Sequence, residues 1–207
     1  MNLKPGYAYF LKDEFFTFVN DPYINQDHEK NADGSLSRRP HFFAFQDAKT
    51  TLYWLVPISS QVDKYRGIIQ KRSALNKPTD GIRIEKVHEK DRAFLFQDMF
   101  PITDKYIAEP YMRNGDYVYI KSQATVASLE KTARKVSNLL LRGIKFTPTQ
   151  PDIPRIQKLM LAEMHQQQTQ ETPTKAPMAD RIAAATEEAA QRNSDQQKKP
   201  PTPDLEM

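Results

Sequence analysis

The stretch His41-Phe42-Phe43-Ala44-Phe45-Gln46-Asp47-Ala48-Lys49-Thr50-Thr51-Leu52-Tyr53-Trp54-Leu55-Val56-Pro57-Ile58 decides the fold. Two runs rich in aromatic and β-branched residues, 41–46 and 50–58, are parted only by Asp47-Ala48-Lys49, the spacing of an antiparallel hairpin. Each run is apolar at consecutive positions, so both faces of the hairpin are expected to be covered. Neighbours are present on either side. Tyr7, Tyr9, Phe10, Phe15, Phe16 and Phe18 read as a short strand followed by a helical turn from Lys12 or Asp13. Residues 82–87 alternate at period two, 93–97 form a further apolar run, and a strand at 117–120 follows the Asn114-Gly115-Asp116 turn. Pro101 and Pro110 break up the segment between them. Residues 21–40 read as a loop of turn formers ending in Arg38-Arg39-Pro40.

The helices come last. Val126, Leu129, Ala133, Val136 and Leu140 form one apolar stripe on a helix that starts near Ser122 and is capped by Gly143. Ile153, Ile156 and Met160 share one face of a second helix after Asp152. Five or six antiparallel strands followed by two helices make an α+β domain, a compact bent sheet or barrel.

The average composition covers two unlike segments. The chain has 207 residues, 30 Lys plus Arg against 26 Asp plus Glu, no Cys and one Trp, with a mean hydropathy of -0.71. Residues 166–207 contain no Phe, Tyr or Trp and net -2, so residues 1–165 carry +6. The first segment is expected to fold as one domain. The second is too polar to offset chain entropy by burial and is expected to be a disordered low-complexity tail, with a transient Ala-rich helix over 178–192. No apolar run approaches the roughly 20 residues that cross a bilayer, and Met1-Asn2-Leu3-Lys4-Pro5-Gly6 lacks a signal-peptide core. A soluble cytoplasmic protein is expected. Without cysteine there is no disulfide, thiol nucleophile or thiolate metal site.

Motifs for cofactor chemistry are also missing. His28, His41, His88 and His165 are scattered, and neither His28-Glu29 nor His88-Glu89 extends to the His-Glu-x-x-His zinc pattern. Six glycines form no phosphate-cradling loop, so neither cofactor nor metal is expected. Val56-Pro57-Ile58-Ser59-Ser60-Gln61-Val62-Asp63-Lys64-Tyr65-Arg66 remains. An apolar strand runs out at a proline, presents two hydroxyls, then delivers Lys, Tyr and Arg from a loop on a rigid base. Cations oppose the charge of a phosphodiester and a serine can donate to its non-bridging oxygen. If the substrate is RNA, its own 2'-hydroxyl is the nucleophile and no metal or thiol is needed. The same residues also suit an ordinary turn and a solvated face.

Charge placement adds to this. Residues 61–79 net +4, including Lys64, Arg66, Lys71 and Arg72, and residues 128–145 net +4, including Lys131, Arg134 and Lys135. Basic residues near Tyr65, Tyr106, Tyr111 and Tyr117 would hold phosphates while the rings stack on unpaired bases; as solubilising faces the two windows need no partner.

With Lys4-Pro5-Gly6-Tyr7, the strand 52–60 followed by Lys64-Tyr65, Phe100-Pro101-Ile102-Thr103 with Lys105-Tyr106, and Leu140-Leu141-Arg142-Gly143, the sequence resembles the endoribonuclease toxins of type III toxin–antitoxin systems. This is the ToxN/AbiQ family, and the likeness is closest to its CptN-like branch, over roughly residues 4–162. The resemblance implies a Kid/MazF-like fold that cuts RNA without metal and leaves a 2',3'-cyclic phosphate. It places the scissile phosphate at Ser59 and Ser60, with Ser60 the essential hydroxyl. The family's lysine falls two residues after that pair, where this chain has Val62, and Lys64 is the nearest substitute. A further cation falls on Arg39 or Arg38, with His41 next in line. The implied partners are a repetitive, pseudoknot-forming antitoxin RNA, bound in a closed protein–RNA ring, and an mRNA substrate; the implied role is growth arrest or phage defence. A non-catalytic RNA- or protein-binding adaptor, or a toxin inhibited by a protein, would use the same surface differently.

Overall fold

The computed structural model describes residues 3–24 and 38–171. In chain order these form β1 (Ala8–Leu11), α1 (Asp13–Val19), β2 (His41–Gln46), β3 (Tyr53–Ser59), α2 (Val62–Ala74), β4 (Arg83–Val87), β5 (Lys90–Phe94), β6 (Phe100–Ile102), β7 (Ile107–Pro110), β8 (Met112–Arg113), β9 (Asp116–Tyr117), α3 (Gln123–Leu141) and α4 (Ile153–Glu171). The chain divides into residues 1–164 and 165–207, and the first unit is the one described below. Residues 25–37 of the expected loop, and 172–207 of the expected tail with its 178–192 helix, lie outside the described residues.

The hairpin forms as its spacing requires. β2 and β3 are antiparallel, with His41 opposite Pro57 and Gln46 opposite Tyr53, and the register shifts between Phe43 and Phe45. Asp47 sets the turn by accepting the Lys49 and Thr50 amides on Oδ1 at 2.7 and 3.1 Å. Both faces are covered, since Leu52, Trp54, Leu55 and Val56 are all fully buried.

β3 is the hub of the sheet, whose described strands run in the order β4-β5-β3-β2-β1-β7, with β6 pairing to β3 beside β5. All of its pairings are antiparallel. Ile58 and Ser59 face Phe94 and Ala93 of β5, while Tyr53, Trp54 and Leu55 face Ile102, Pro101 and Phe100 of β6. Residues 90–102 thus track β3 as one interrupted strand. Pro57 explains the interruption. Its carbonyl accepts the Leu95 amide at 3.0 Å, but it has no N–H to return to the Leu95 carbonyl, which takes the Asp98 amide at 3.0 Å instead. That bond closes a 3-10 turn over Phe96–Asp98. The expected strand at 93–97 is therefore corrected to β5 plus this turn, and the strand expected over 50–58 spans Tyr53–Ser59.

α3 follows its apolar stripe, with Leu129, Ala133 and Val136 fully buried. Ser122 caps its start, Oγ accepting the Thr125 amide at 3.2 Å. Gly143 ends it at φ +78°, and the next amide, that of Ile144, returns to the Leu139 carbonyl at 3.1 Å. Gly6 is needed for a different reason: its φ is +89°, and a Cβ there would stand 3.0 Å from Val126 Cγ2 of α3. α4 buries Ile153, Ile156 and Met160 and runs on to Glu171, past the expected start of the tail at 166. α2 and α3 lie on opposite faces of the β4–β5 end. Arg83 reaches Ser128 Oγ and Thr132 Oγ1 of α3 at 3.0 Å each, whereas the next residue, Ile84, packs with Tyr65, Ile68 and Ile69 of α2 over Ile82, Ala93 and Leu95.

Candidate functional site

The chain leaves β3 and enters α2 within two residues. Ser59 is buried at the end of the ladder, and its Oγ accepts the Gln61 amide at 3.2 Å. The Ser60 carbonyl accepts the Val62 amide at 2.8 Å. These two bonds fix a tight turn that leaves the Ser60 side chain exposed at the N-terminus of a 13-residue helix. The helix dipole favours an anion at such a position. Lys64 lies one turn further on, Nζ 3.3 Å from Gln61 Oε1 and 5.6 Å from the Tyr65 ring centroid. Arg39 arrives from the β2 side, because the Pro40 carbonyl accepts the Ile58 amide at 3.1 Å. Ser59, Ser60, Lys64 and Arg39 thus share the C-terminal end of β3. Here Lys64, Tyr65 and Arg66 sit on the first turns of a helix, which corrects the expected loop.

The other expected contacts divide sharply. Arg38 turns away to the opposite edge of the sheet, where it pairs with Glu109 at 2.7 Å, donates to the Leu11 carbonyl at 2.7 Å and lies 4.8 Å from the Phe10 ring. His41 is 2% exposed, and burial lowers its pKa to about 3, with the Arg39 charge in support, so it is a neutral wall and not a surface cation. Tyr65 packs inward on α2, while Arg66 is tied to Asp63 at 3.2 Å and Asp91 at 2.5 Å. Lys71 is exposed; Arg72, on the inner face of α2 with Tyr65, Ile68 and Ile69, donates to the Phe146 carbonyl at 3.5 Å. Tyr106 is buried, its hydroxyl donating to Glu163 at 2.7 Å, and cannot stack on a base; Tyr117 is 49% exposed.

The two basic windows do not form one surface. Lys131, Arg134 and Lys135 belong to α3, on the other face of the sheet from α2. Arg134 pairs with Glu130 at 2.8 Å and lies 4.2 Å from the Phe45 ring, and Lys135 pairs with Asp80 at 2.6 Å.

One residue was not anticipated. Asp98, at the end of the 3-10 turn, is half-buried, and its pKa is raised to about 6, chiefly by burial; a Gln97 side-chain hydrogen bond and the charges of Arg39 and Arg72 act in the opposite direction. The only signal in the sequence is a lone charged residue in the otherwise uncharged, mostly apolar run from Ala93 to Phe100. Among the described residues no three His, Asp or Glu side chains are grouped to hold a metal ion, and no helix is long and apolar enough to cross a membrane.

The sequence matches no protein-family model and no curated protein. Its fold, however, is similar to that of AbiQ, a lactococcal anti-phage endoribonuclease belonging to a type III toxin–antitoxin system. The correspondence spans 78% of this chain and 99% of that one, with a TM-score of 0.58 and 10% sequence identity. The likeness is therefore one of fold: an antiparallel sheet with C-terminal helices, as the sequence resemblance implied.

Proposed function

We propose that this protein is a metal-independent endoribonuclease of the type III toxin class. The observation that carries the reading is the exposed Ser60 at the β3–α2 turn, with Ser59, Lys64 and Arg39 at the same strand end, on a fold shared with AbiQ. The 2'-oxygen of the nucleotide before the cut attacks the adjacent phosphorus as its proton passes to a base. A P–O2' bond forms, the P–O5' bond breaks, and the leaving 5'-oxygen takes a proton. The products are a 2',3'-cyclic phosphate and a 5'-hydroxyl.

The chain's part is to place the phosphate and stabilise its developing charge. Ser60 donates to a non-bridging oxygen, assisted by the α2 N-terminus; Lys64 and Arg39 neutralise charge from either side. Ser59, already engaged with the Gln61 amide, shapes the turn that presents Ser60. His41 is held neutral by burial and supplies no positive charge at neutral pH. The inhibitor is a repetitive, pseudoknot-forming antitoxin RNA bound in a ring assembly, the substrate is mRNA in the cytoplasm, and the biological role is phage defence or growth arrest. Ser60→Ala should lower the rate of RNA cleavage by roughly a hundredfold or more while leaving the thermal midpoint unchanged, since the side chain is exposed. A fully active Ser60→Ala protein refutes the assignment, and a wild-type protein that binds RNA without cutting it supports an adaptor.

A further inference from the structure

The edge of the sheet to which Arg38 turns carries a cleft that the chemistry above leaves unused. Its open volume is about 660 Å³, within the roughly 300–1,000 Å³ of sites that take small ligands. Lys12, Asp13, Glu14 and Phe18 line it from the start of α1, and Arg38 and Ala108 line it from β7 and the segment before β2. The walls are held in place. The Lys12 amide donates to the Tyr106 carbonyl at 2.9 Å, which fixes the start of α1 against the start of β7. Arg38 is pinned by the Leu11 carbonyl, by Glu109 and by the Phe10 ring. Phe18 is 41% exposed; its ring stacks on the buried Tyr106, with centroids 5.8 Å apart and planes 24° from parallel, and its exposed side lines the cleft. Glu14 precedes Phe18 by four residues, so the two are neighbours on one face of α1.

The cleft and Ser60 belong to the same end of the sheet. Tyr9 of β1 is opposite His41 of β2, His41 is opposite Pro57 of β3, and β1 and β3 run in the same direction. Two residues further on, Leu11 and Ser59 stand at one level, two strand spacings or about 10 Å apart. Residues 38–40 bridge that gap: Arg38 donates to the Leu11 carbonyl at one side, and the Pro40 carbonyl takes the Ile58 amide at the other.

The chemistry of the lining selects the ligand. A ring already stacked on one side offers its open side to a flat partner, and unpaired bases are held in this way. Carboxylates repel phosphate, so Asp13 and Glu14 do not suit a contact with the RNA backbone alone. They suit the edge of a base, where an ionised carboxylate accepts N–H from an exocyclic amine. Adenine and guanine carry that amine and give the larger stacking area, whereas uracil has none. Arg38, neutralised by Glu109, builds the wall, and exposed Lys12 supplies the cation for a phosphate.

We propose that this cleft is a base-recognition subsite: an amino-bearing purine beside the cut stacks on Phe18, gives its amine to Glu14 and has its phosphate met by Lys12. This rests on the endoribonuclease reading above and deepens it, by assigning the sequence preference of cleavage to residues outside the β3–α2 turn.

The test is cleavage of an RNA with one mapped cut site, in which the flanking purines are replaced one at a time by forms that lack the amine, inosine for guanosine and nebularine for adenosine. With wild type, one such replacement should lower kcat/KM by roughly ten- to a hundredfold, the range of a hydrogen bond to a charged group. Glu14→Ala should cut the unmodified RNA more slowly by a similar factor and no longer distinguish it from the amine-free form. The Glu14 side chain is exposed, so its removal leaves the fold intact. Phe18→Ala should raise KM roughly tenfold through lost stacking. An active wild type whose cut sites carry no flanking purine, or that ignores loss of the amine at every flanking position, overturns the subsite alone, as does a Glu14→Ala protein that keeps the discrimination. A wild type that cuts no RNA overturns the endoribonuclease reading, and the subsite with it.

Discussion

Replacing Asp98 by Asn should make the protein more stable at neutral pH. The carboxyl titrates near 6 in the folded chain against an ordinary 3.8, because burial disfavours its charged form. Folding therefore raises its proton affinity, and stability is lost as pH rises from about 4 to about 6. At about 1.4 kcal/mol for each pH unit, the ionised group costs the folded state about 3 kcal/mol above pH 6 and nothing below pH 4. A neutral isostere removes that penalty. In urea unfolding followed by circular dichroism, Asp98→Asn should gain up to about 3 kcal/mol at pH 7.5, or roughly 6–12 °C in Tm for a domain of this size, and gain nothing at pH 4. Loss of stability at pH 7.5, or the same gain at both pH values, would refute the electrostatic account of this turn.

His41 has the opposite sign: burial lowers its pKa from 6.5 to about 3, so unfolding takes up a proton and wild type should lose about 3 kcal/mol from this group between pH 6.5 and pH 4. His41→Gln should show a flatter acid limb in the same unfolding assay; an unchanged limb contradicts the neutral, buried assignment. Gly6→Ala forces a side chain into φ +89° and against Val126, and should lower stability by about 1–2 kcal/mol or more; an unaltered urea midpoint would show that the turn can relax. Ser122→Ala removes the cap of α3 and should cost about 1 kcal/mol, read as a lower Tm.

Most of the core was legible because its signals are local. The 41–58 hairpin announced itself by aromatic density and a three-residue turn, and α3 by a stripe that repeats every three or four residues. β6 and β7 were missed because each is short and contains a proline. Pro101 is tolerated in a three-residue strand beside β3, and Pro110 in the edge strand paired to Tyr9. α2 was hidden by composition: its inner face offers Tyr65, Ile68, Ile69 and then Arg72, too few apolar positions to mark a helix among so many cations. At the candidate site, the position of Ser59 and Ser60 at a strand end followed by basic residues was legible. What could not be read was the direction of each cation. Arg38 and Arg39 are adjacent, yet one binds Glu109 at the edge strand β7 while the backbone of the other enters beside the end of β3, and the two basic windows fall on opposite faces. Asp98 depends on a donor missing from Pro57 some 40 residues earlier, a relation only the folded ladder reveals.

The central claim is that Ser60 and its flanking cations align RNA for attack by its own 2'-hydroxyl. The most direct measurement is the chemistry of the RNA ends produced by purified protein in excess EDTA. The account predicts fragments bearing 2',3'-cyclic phosphate and 5'-hydroxyl, absent when Ser60 is replaced by Ala and absent for RNA with a 2'-deoxy nucleotide at the cut. Fragments with 3'-hydroxyl and 5'-phosphate, or cleavage that EDTA abolishes, would contradict it.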